Sequence, residues 1–322
     1  RLTTVTGVQT CALPIYLNGR KEDVIRIIEE QGKLTEEIKS SILKCETITE
    51  VEDIYRPFRP KRRTRATIAE EKGLKPLAEL ILLGEFKGDL REEAGKYIND
   101  EKEVNSVEEA LAGAVDIISE IISDKAEYRK WIRNFVNKEG VIETSGESKE
   151  PTPYEMYYSY REEVKKIPSH RILAINRGEK EKILSVKITC DMEKIELYLK
   201  KNLLKNNKLT DSYIEESVSD SLKRLIYPSI EREIRGELTD KAEAGAINIF
   251  KSNLKALLMQ PPIKGKTVLG YDPGFRTGCN VAVVDDTGKY LESTVVYPTE
   301  PQNQVEKTKE ELIKLIKKYN VD

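Results

Sequence analysis

Asp272 is the residue best placed for chemistry. It ends a short apolar run in the sequence GYDPGFRTG. A carboxylate at the carboxyl end of a strand can hold a divalent metal that activates water for attack on a phosphodiester. A single carboxylate is too few ligands for such a site. Asp285 and Asp286 do not supply the others, because an intervening six-residue strand carries them roughly 20 Å to the opposite edge of a sheet. Further ligands would have to come from beyond Asp322. The competing reading makes Asp272 a turn-forming residue before Pro273-Gly274. The same strand-turn-strand opening also serves phosphate binding in some ATPases. Arg276 and Thr277 in this turn could meet a phosphate, or simply shape a hairpin. The Walker A pattern fails, because Gln260 stands where its first glycine would have to precede Gly265-Lys266-Thr267.

The second chemical feature is RPFRPKRRTR, residues 56–65, which carries Arg56, Arg59, Lys61, Arg62, Arg63 and Arg65 and no acidic residue. Pro57 and Pro60 are expected to hold it extended, so that guanidinium groups track phosphates while Phe58 stacks on a base. Against this stands a solvated loop whose arginines pair with glutamates of neighbouring helices. His170 follows Pro168-Ser169 at a helix start, with no Cys or Asp arrangement beside it, and is read as structural. Tyr154, Tyr157, Tyr158 and Tyr160 suggest base stacking, but Tyr157, Tyr160 and Val164 fall at helical spacing and read better as a packing face.

Composition narrows the classes. The chain has 322 residues, 34% of them charged, and only 18 Gly and 13 Pro, which favours several charge-laced helices and more than one core. A formal net charge of −2 gives no global basic field, so any polyanion site must be local. Cys11, Cys45, Cys190 and Cys279 lie far apart with no CxxC pair, and His170 is the only histidine; a reduced cytoplasmic protein without structural zinc or cofactor is expected. No apolar run approaches the ~20 residues that span a bilayer. RLTTVTGVQTCALPI, residues 1–15, is a poor signal peptide and looks like translated sequencing-adapter DNA, so it is set aside as non-native and the native N-terminus is taken to be lost.

The elements that must carry these residues read as helices first. Val24, Ile27 and Ile28 precede Gly32, and Ile38 and Ile42 share a second helical face, which makes a hairpin. Ser/Thr-x-x-Glu capping boxes are read at Thr49/Glu52, Thr67/Glu70, Ser106/Glu109, Thr152/Glu155 and Ser212/Glu215. One helix carries Leu77, Leu80 and Ile81 and stops near Gly84, and Leu111, Ala114, Ile118 and Ile121 line another. Trp131, Ile132 and Phe135 precede Gly140 on a third. Glu143 to Pro153 reads as a linker, and Leu184 to Cys190 as one isolated strand after a turn at Gly178. From Ser212 a long helical passage runs to Leu238, kinked or split at Pro228, and a following helix stops at Pro261-Pro262. After a boundary near Lys264, strands are expected at 268–271, 279–284 and 290–297, with a turn at Asp286-Thr287-Gly288. A closing helix presents Val305, Leu312, Ile316 and Tyr319 on one face. The fold class is therefore mainly α with an α/β beginning, divided as 1–15, 16–150, 151–263 and 264–322.

Three stretches resemble the bacterial Tex family: VEDIYRPFRPKRRTRATIAEEKGLKPLAELIL, PSHRILAINRGEKEKILSVKI, and the block from YPSIEREIRGELTDKAEAGAINIF to the last residue. With their spacing they cover nearly all of residues 16–322. The resemblance implies a helical N-terminal scaffold with a helix-turn-helix-like part, then an incomplete YqgF-type, ribonuclease H-like domain. Family members continue into helix-hairpin-helix elements and an S1 domain regarded as the main RNA-binding module. It further implies a non-catalytic, cytoplasmic, nucleic-acid-binding protein of transcription, with RNA and RNA polymerase or the translation machinery as partners and no membrane. A YqgF domain is generally not considered an active nuclease; the alternatives are a metal-dependent resolvase centred on Asp272 and a protein-interaction scaffold without nucleic-acid affinity. Without the strand that should follow Tyr319, the last sheet is expected to show an open edge and an uncovered apolar face, and to be unstable alone.

Overall fold

The computed structural model describes residues 5–60, 63–86, 88–260, 263–274 and 277–322, with side chains from Tyr16 onward. The chain forms two compact units, Arg1–Ala246 and Ile247–Asp322.

The first unit opens with three helices: α1 (Val5–Glu30), α2 (Glu36–Lys44) and α3 (Ile48–Tyr55). The segment set aside as non-native contributes residues 5–15 to α1. Val24, Ile28, Ile42, Val51 and Tyr55 bury together as a small core of their own. After a 3-10 turn at Arg56–Phe58 come α4 (Arg65–Glu71), α5 (Lys75–Leu83), α6 (Leu90–Gly95), α7 (Val107–Asp124) and α8 (Ala126–Glu139). These begin the main core, in which Leu77, Ile81, Ile118, Ile122 and Ile132 are all but sealed from solvent.

Helix starts follow capping chemistry, though not always at the expected residue. Ser106 caps α7 as read, accepting from the Glu109 N–H, but the Glu109 carboxylate takes the Asn105 N–H, one residue before the cap, so the box is not closed. α3 starts two residues early, because Thr47 rather than Thr49 accepts from Glu50 N–H. Thr67 is the third residue of α4, not its cap: it closes a box with Thr64, doing with a hydroxyl what a glutamate usually does. Ser212 lies inside α11 (Asp211–Asp220). Thr152 and Glu155 do pair, at a 3-10 turn over Glu155–Tyr157.

The expected linker at Glu143–Pro153 is corrected by the structure. Its first residues belong to β1 (Val141–Gly146), the central strand of an antiparallel sheet in the order β2 (Ser159–Glu163), β1, β3 (Leu184–Thr189). Glu143 stands opposite Arg161 on one side and Lys187 on the other, with ion pairs of 2.8 and 3.8 Å. Cross-strand charge pairing thus stabilises a strand whose sequence reads as polar loop. Leu184 to Cys190 is accordingly an edge strand rather than an isolated one. Tyr157 and Tyr160 pack edge to face at 5.4 Å with Tyr154 nearby, so the packing reading of the tyrosines is right, although Tyr160 lies on β2 and not on a helix. Gly178 lies within α9 (Ser169–Lys180), where a Cβ would come 2.6 Å from Leu184.

α10 (Met192–Leu203) and α11 complete the core, and a π-helical turn at Ser221–Ile226 joins α11 to α12 (Tyr227–Leu258). The widened turn sits just before Pro228 and accommodates the ring and its missing N–H, so the passage is reshaped there rather than split. α12 runs unbroken to Leu258, where two helices were expected; Pro261 and Pro262 lie outside the described residues.

In the second unit, β4 (Val268–Asp272), β5 (Cys279–Val284) and β6 (Tyr290–Val296) form an antiparallel meander, with α13 (Val305–Tyr319) on one face. Val281, Val283 and Leu315 are its core. The buried side of α13 is Thr308, Leu312, Leu315 and Tyr319; Val305 and Ile316 are exposed, so the expected face is rotated by about one residue. Val295 is exposed on the other sheet face, and Tyr271, opposite Val281 on the α13 side, is exposed toward the end of β4. Within this unit α12 exposes Ile247, Phe250, Leu254 and Leu257 along one side.

Candidate nucleic-acid interface

The basic strip is built on the end of α3. Arg56–Phe58 curls into a 3-10 turn with Pro57 at its start, so the first part of the strip is not extended. Phe58 packs against the α1–α3 core and its carbonyl accepts from Gln31, which removes it as a free stacking platform. Lys61 and Arg62 lie outside the described residues.

Three arginines of the strip are paired internally. Arg56 Nε donates to Asp124 at 3.2 Å, and burial pushes the Arg56 guanidinium down from its ordinary value, with the Arg129 charge adding to the effect. Arg59 donates to Glu52 at 2.9 Å and lies over the Tyr55 ring, a place it shares with Arg20. Arg63 reaches Glu71 at 3.3 Å, with 71% of its side chain exposed. Arg65 is exposed in the first turn of α4; burial raises the pKa of Asp116 against the opposing charges of Arg224 and Arg65. The pairing reading therefore describes these contacts, but it leaves Arg59, Arg63 and Arg65 facing solvent, and exposed pairs of this kind contribute ~0–1 kcal/mol each.

Asp272 sits exposed at the end of β4, opposite Asn280. The register pairs Val268 with Val284, which sets Asp285 about 17 Å along the strands from Asp272. Asp285 is engaged in the hairpin turn, accepting from the Thr287 hydroxyl and from the Thr287 and Lys289 N–H groups, and these bonds lower its pKa. Gly278 closes the Asp272 turn at φ +86°, with the Tyr297 ring 2.5 Å from where a Cβ would stand. Arg276 lies outside the described residues. Among the described residues no group of three or more His, Cys, Asp or Glu is placed to hold a metal. His170 is exposed in the first turn of α9.

The charged centre that sequence reasoning missed lies beside the strip, where Asp53, Arg129, Arg133 and Glu233 meet. Arg129 is fully buried; its Nε donates to Asp53 at 2.8 Å and its Nη2 to Ser229 at 3.1 Å and to Glu233. Arg133 donates to Asp53 at 3.1 Å and to Glu233 at 2.8 Å. Burial raises the pKa of Glu233, but the Arg129 and Arg133 charges and the Ser229 hydroxyl outweigh it and the net shift is downward. Two charges of each sign balance, which is the condition for burying them. A signal was present: Arg129 and Arg133 flank Ile132 at the spacing of the buried face of α8, the face that Tyr128, Ile132 and Val136 define.

Comparison with known proteins decides the family. The profile described as "Tex central region-like" matches residues 87–250, about half of the chain. The chain belongs to the Tex family. A second profile, "Tex protein YqgF-like domain", matches residues 266–322, the stretch holding the three-stranded meander and α13. YdcI of Bacillus subtilis is 49% identical over 311 residues, covering 95% of this chain and 43% of the relative. Transcriptional accessory protein Tex of Neisseria gonorrhoeae is 35% identical, covering 95% and 41%. The human S1 RNA-binding domain-containing protein 1 is 30% identical, covering 85% and 29%. This Tex-family chain thus spans less than half the length of these relatives. Its mainly helical body followed by a small α/β unit is the fold class the sequence implies. Among the described residues no helix is long and apolar enough to cross a membrane.

Proposed function

We propose that this Tex-family chain is a non-catalytic scaffold that contributes to RNA binding by a cytoplasmic transcription accessory protein, with transcribing RNA polymerase as its setting. The names of its relatives support the class: one is called a transcriptional accessory protein and another an S1 RNA-binding domain protein. The observation that carries the contribution of this chain is the exposure of Arg59, Arg63 and Arg65, the first two held only by surface carboxylates, in pairs worth about 0–1 kcal/mol each. The absence of catalysis is supported by the strand register, which keeps Asp285 away from Asp272.

Filter binding of single-stranded RNA between 50 and 300 mM salt tests the proposal. Affinity should fall linearly on logarithmic axes, with a slope that shrinks when strip arginines are removed. Absence of salt-dependent binding would overturn the reading. Metal-dependent cleavage of the same RNA, lost in Asp272→Asn, would overturn the non-catalytic part.

A further inference from the structure

We infer that α1–α3 form a lid, held to the rest of the helical unit by an ionic latch centred on Asp53. Four observations carry this. First, α1–α3 own a separate core of only Val24, Ile28, Ile42, Cys45, Val51 and Tyr55, too small to hold three helices once undocked, so undocking exposes their amides as one cooperative unit. Second, what α3 offers to α8 is charge. Asp53 pairs with Arg129 and Arg133, and Glu50 pairs with Lys130 at 2.7 Å. Arg56, directly after α3, adds its pair to Asp124 on α7.

Third, the two bodies are not close-packed. A cleft of about 820 Å³ lies between them, with Ile38, Ile54 and Phe58 on the lid side and Ala66, Ile117 and Ile121 on the other. A recess of about 230 Å³ lies beside Cys45 and Lys130. The two bodies therefore meet along a cleft here rather than by continuous close packing. Fourth, the latch is incompletely satisfied, since Arg129 Nη1 is buried with no hydrogen-bond partner. Local openings follow such boundaries, where buried apolar contacts are few.

The chain crosses between the bodies once, from α3 to α4. The lid therefore leaves as one piece, baring the cleft and releasing Arg56 from Asp124. The release of Arg56 into the basic strip rests on the nucleic-acid reading; the lid itself does not.

Hydrogen exchange on the whole chain without nucleic acid tests it. In Asp53→Asn, amides around Val24, Ile28 and Ile42 should exchange at least tenfold faster, while those around Ile118 and Leu222 keep their rates. Unchanged protection of α1–α3, or equal loss in both bodies, would overturn the lid. Should that variant fail to fold, the wild-type chain in low urea decides the matter. Amides of α1–α3 should then exchange through an opening with a smaller urea dependence than the main core, and a single shared slope and free energy for both would refute it.

Discussion

One group of arginines follows the end of α3 in the chain and another reaches Asp53 on α3 from α8, and the two are used in opposite ways. Arg59 and Arg63 hold carboxylates at the surface, where water and salt compensate whatever is lost. Arg129 and Arg133 hold Asp53 and Glu233 in the interior, where nothing replaces a missing partner. The same functional groups at similar distances therefore carry different meanings: one set stays in contact with solvent, the other sets the assembly of α3, α8 and α12. Arg56 stands between them, about one-third exposed, with one foot in each group.

The largest effect expected from breaking the buried set is in Arg129→Ala. It leaves two carboxylates against one arginine, and the chain should lose about 3–5 kcal/mol of unfolding free energy in urea titration. A loss below about 1 kcal/mol would place the network in water and erase the distinction drawn above. A milder probe is acid. The folded-state pKa of Glu233 is depressed below the ordinary glutamate value of 4.5, so its contribution is fully present above that value and is lost as pH falls through the lower folded-state pKa. Urea midpoints measured from pH 6 to 3 should fall below pH 4.5, and fall less steeply in Glu233→Gln.

How far the sequence carried this picture depends on what kind of force decides each element. Where apolar periodicity decides, reading succeeds: α7 and α8 start and stop where their stripes do, and β5 spans Cys279–Val284 as expected. Where charge pairing across distant segments decides, it fails. β1 looks like a linker because Glu143, its central residue, is stabilised by Arg161 and Lys187, neither of them near in sequence. Asp53 looks like any surface carboxylate of a charged helix because its partners lie at Arg129 and Arg133. The basic strip was legible as charge but not as shape, since a 3-10 turn and the packing of Phe58 depend on a core formed by α1–α3. In α13 the stripe was found but turned, because Leu315, not Ile316, meets the sheet.

Arg56→Ala should fall between the two classes. Its pair with Asp124 is partly sheltered, so a cost of about 1 kcal/mol is expected in the same urea titration. A cost equal to that of Arg129→Ala would move Arg56 wholly into the latch. A cost near zero would move it into the strip.

The smallest effect on stability, and the most informative about function, belongs to Arg63. Its side chain and that of Glu71 are 71% and 61% exposed, so Arg63→Ala should change unfolding free energy by less than about 0.5 kcal/mol. Its effect should appear only with RNA, as a decrease of roughly 1 in the slope of log affinity against log salt. Charge reversal at Arg62 and Arg63 together should deepen that loss. A stability change without a change in slope would mean that even the exposed arginines serve the fold, and that polyanion contact lies elsewhere in the protein. A change in slope at constant stability would show that surface pairing with glutamate is the resting state of a phosphate site.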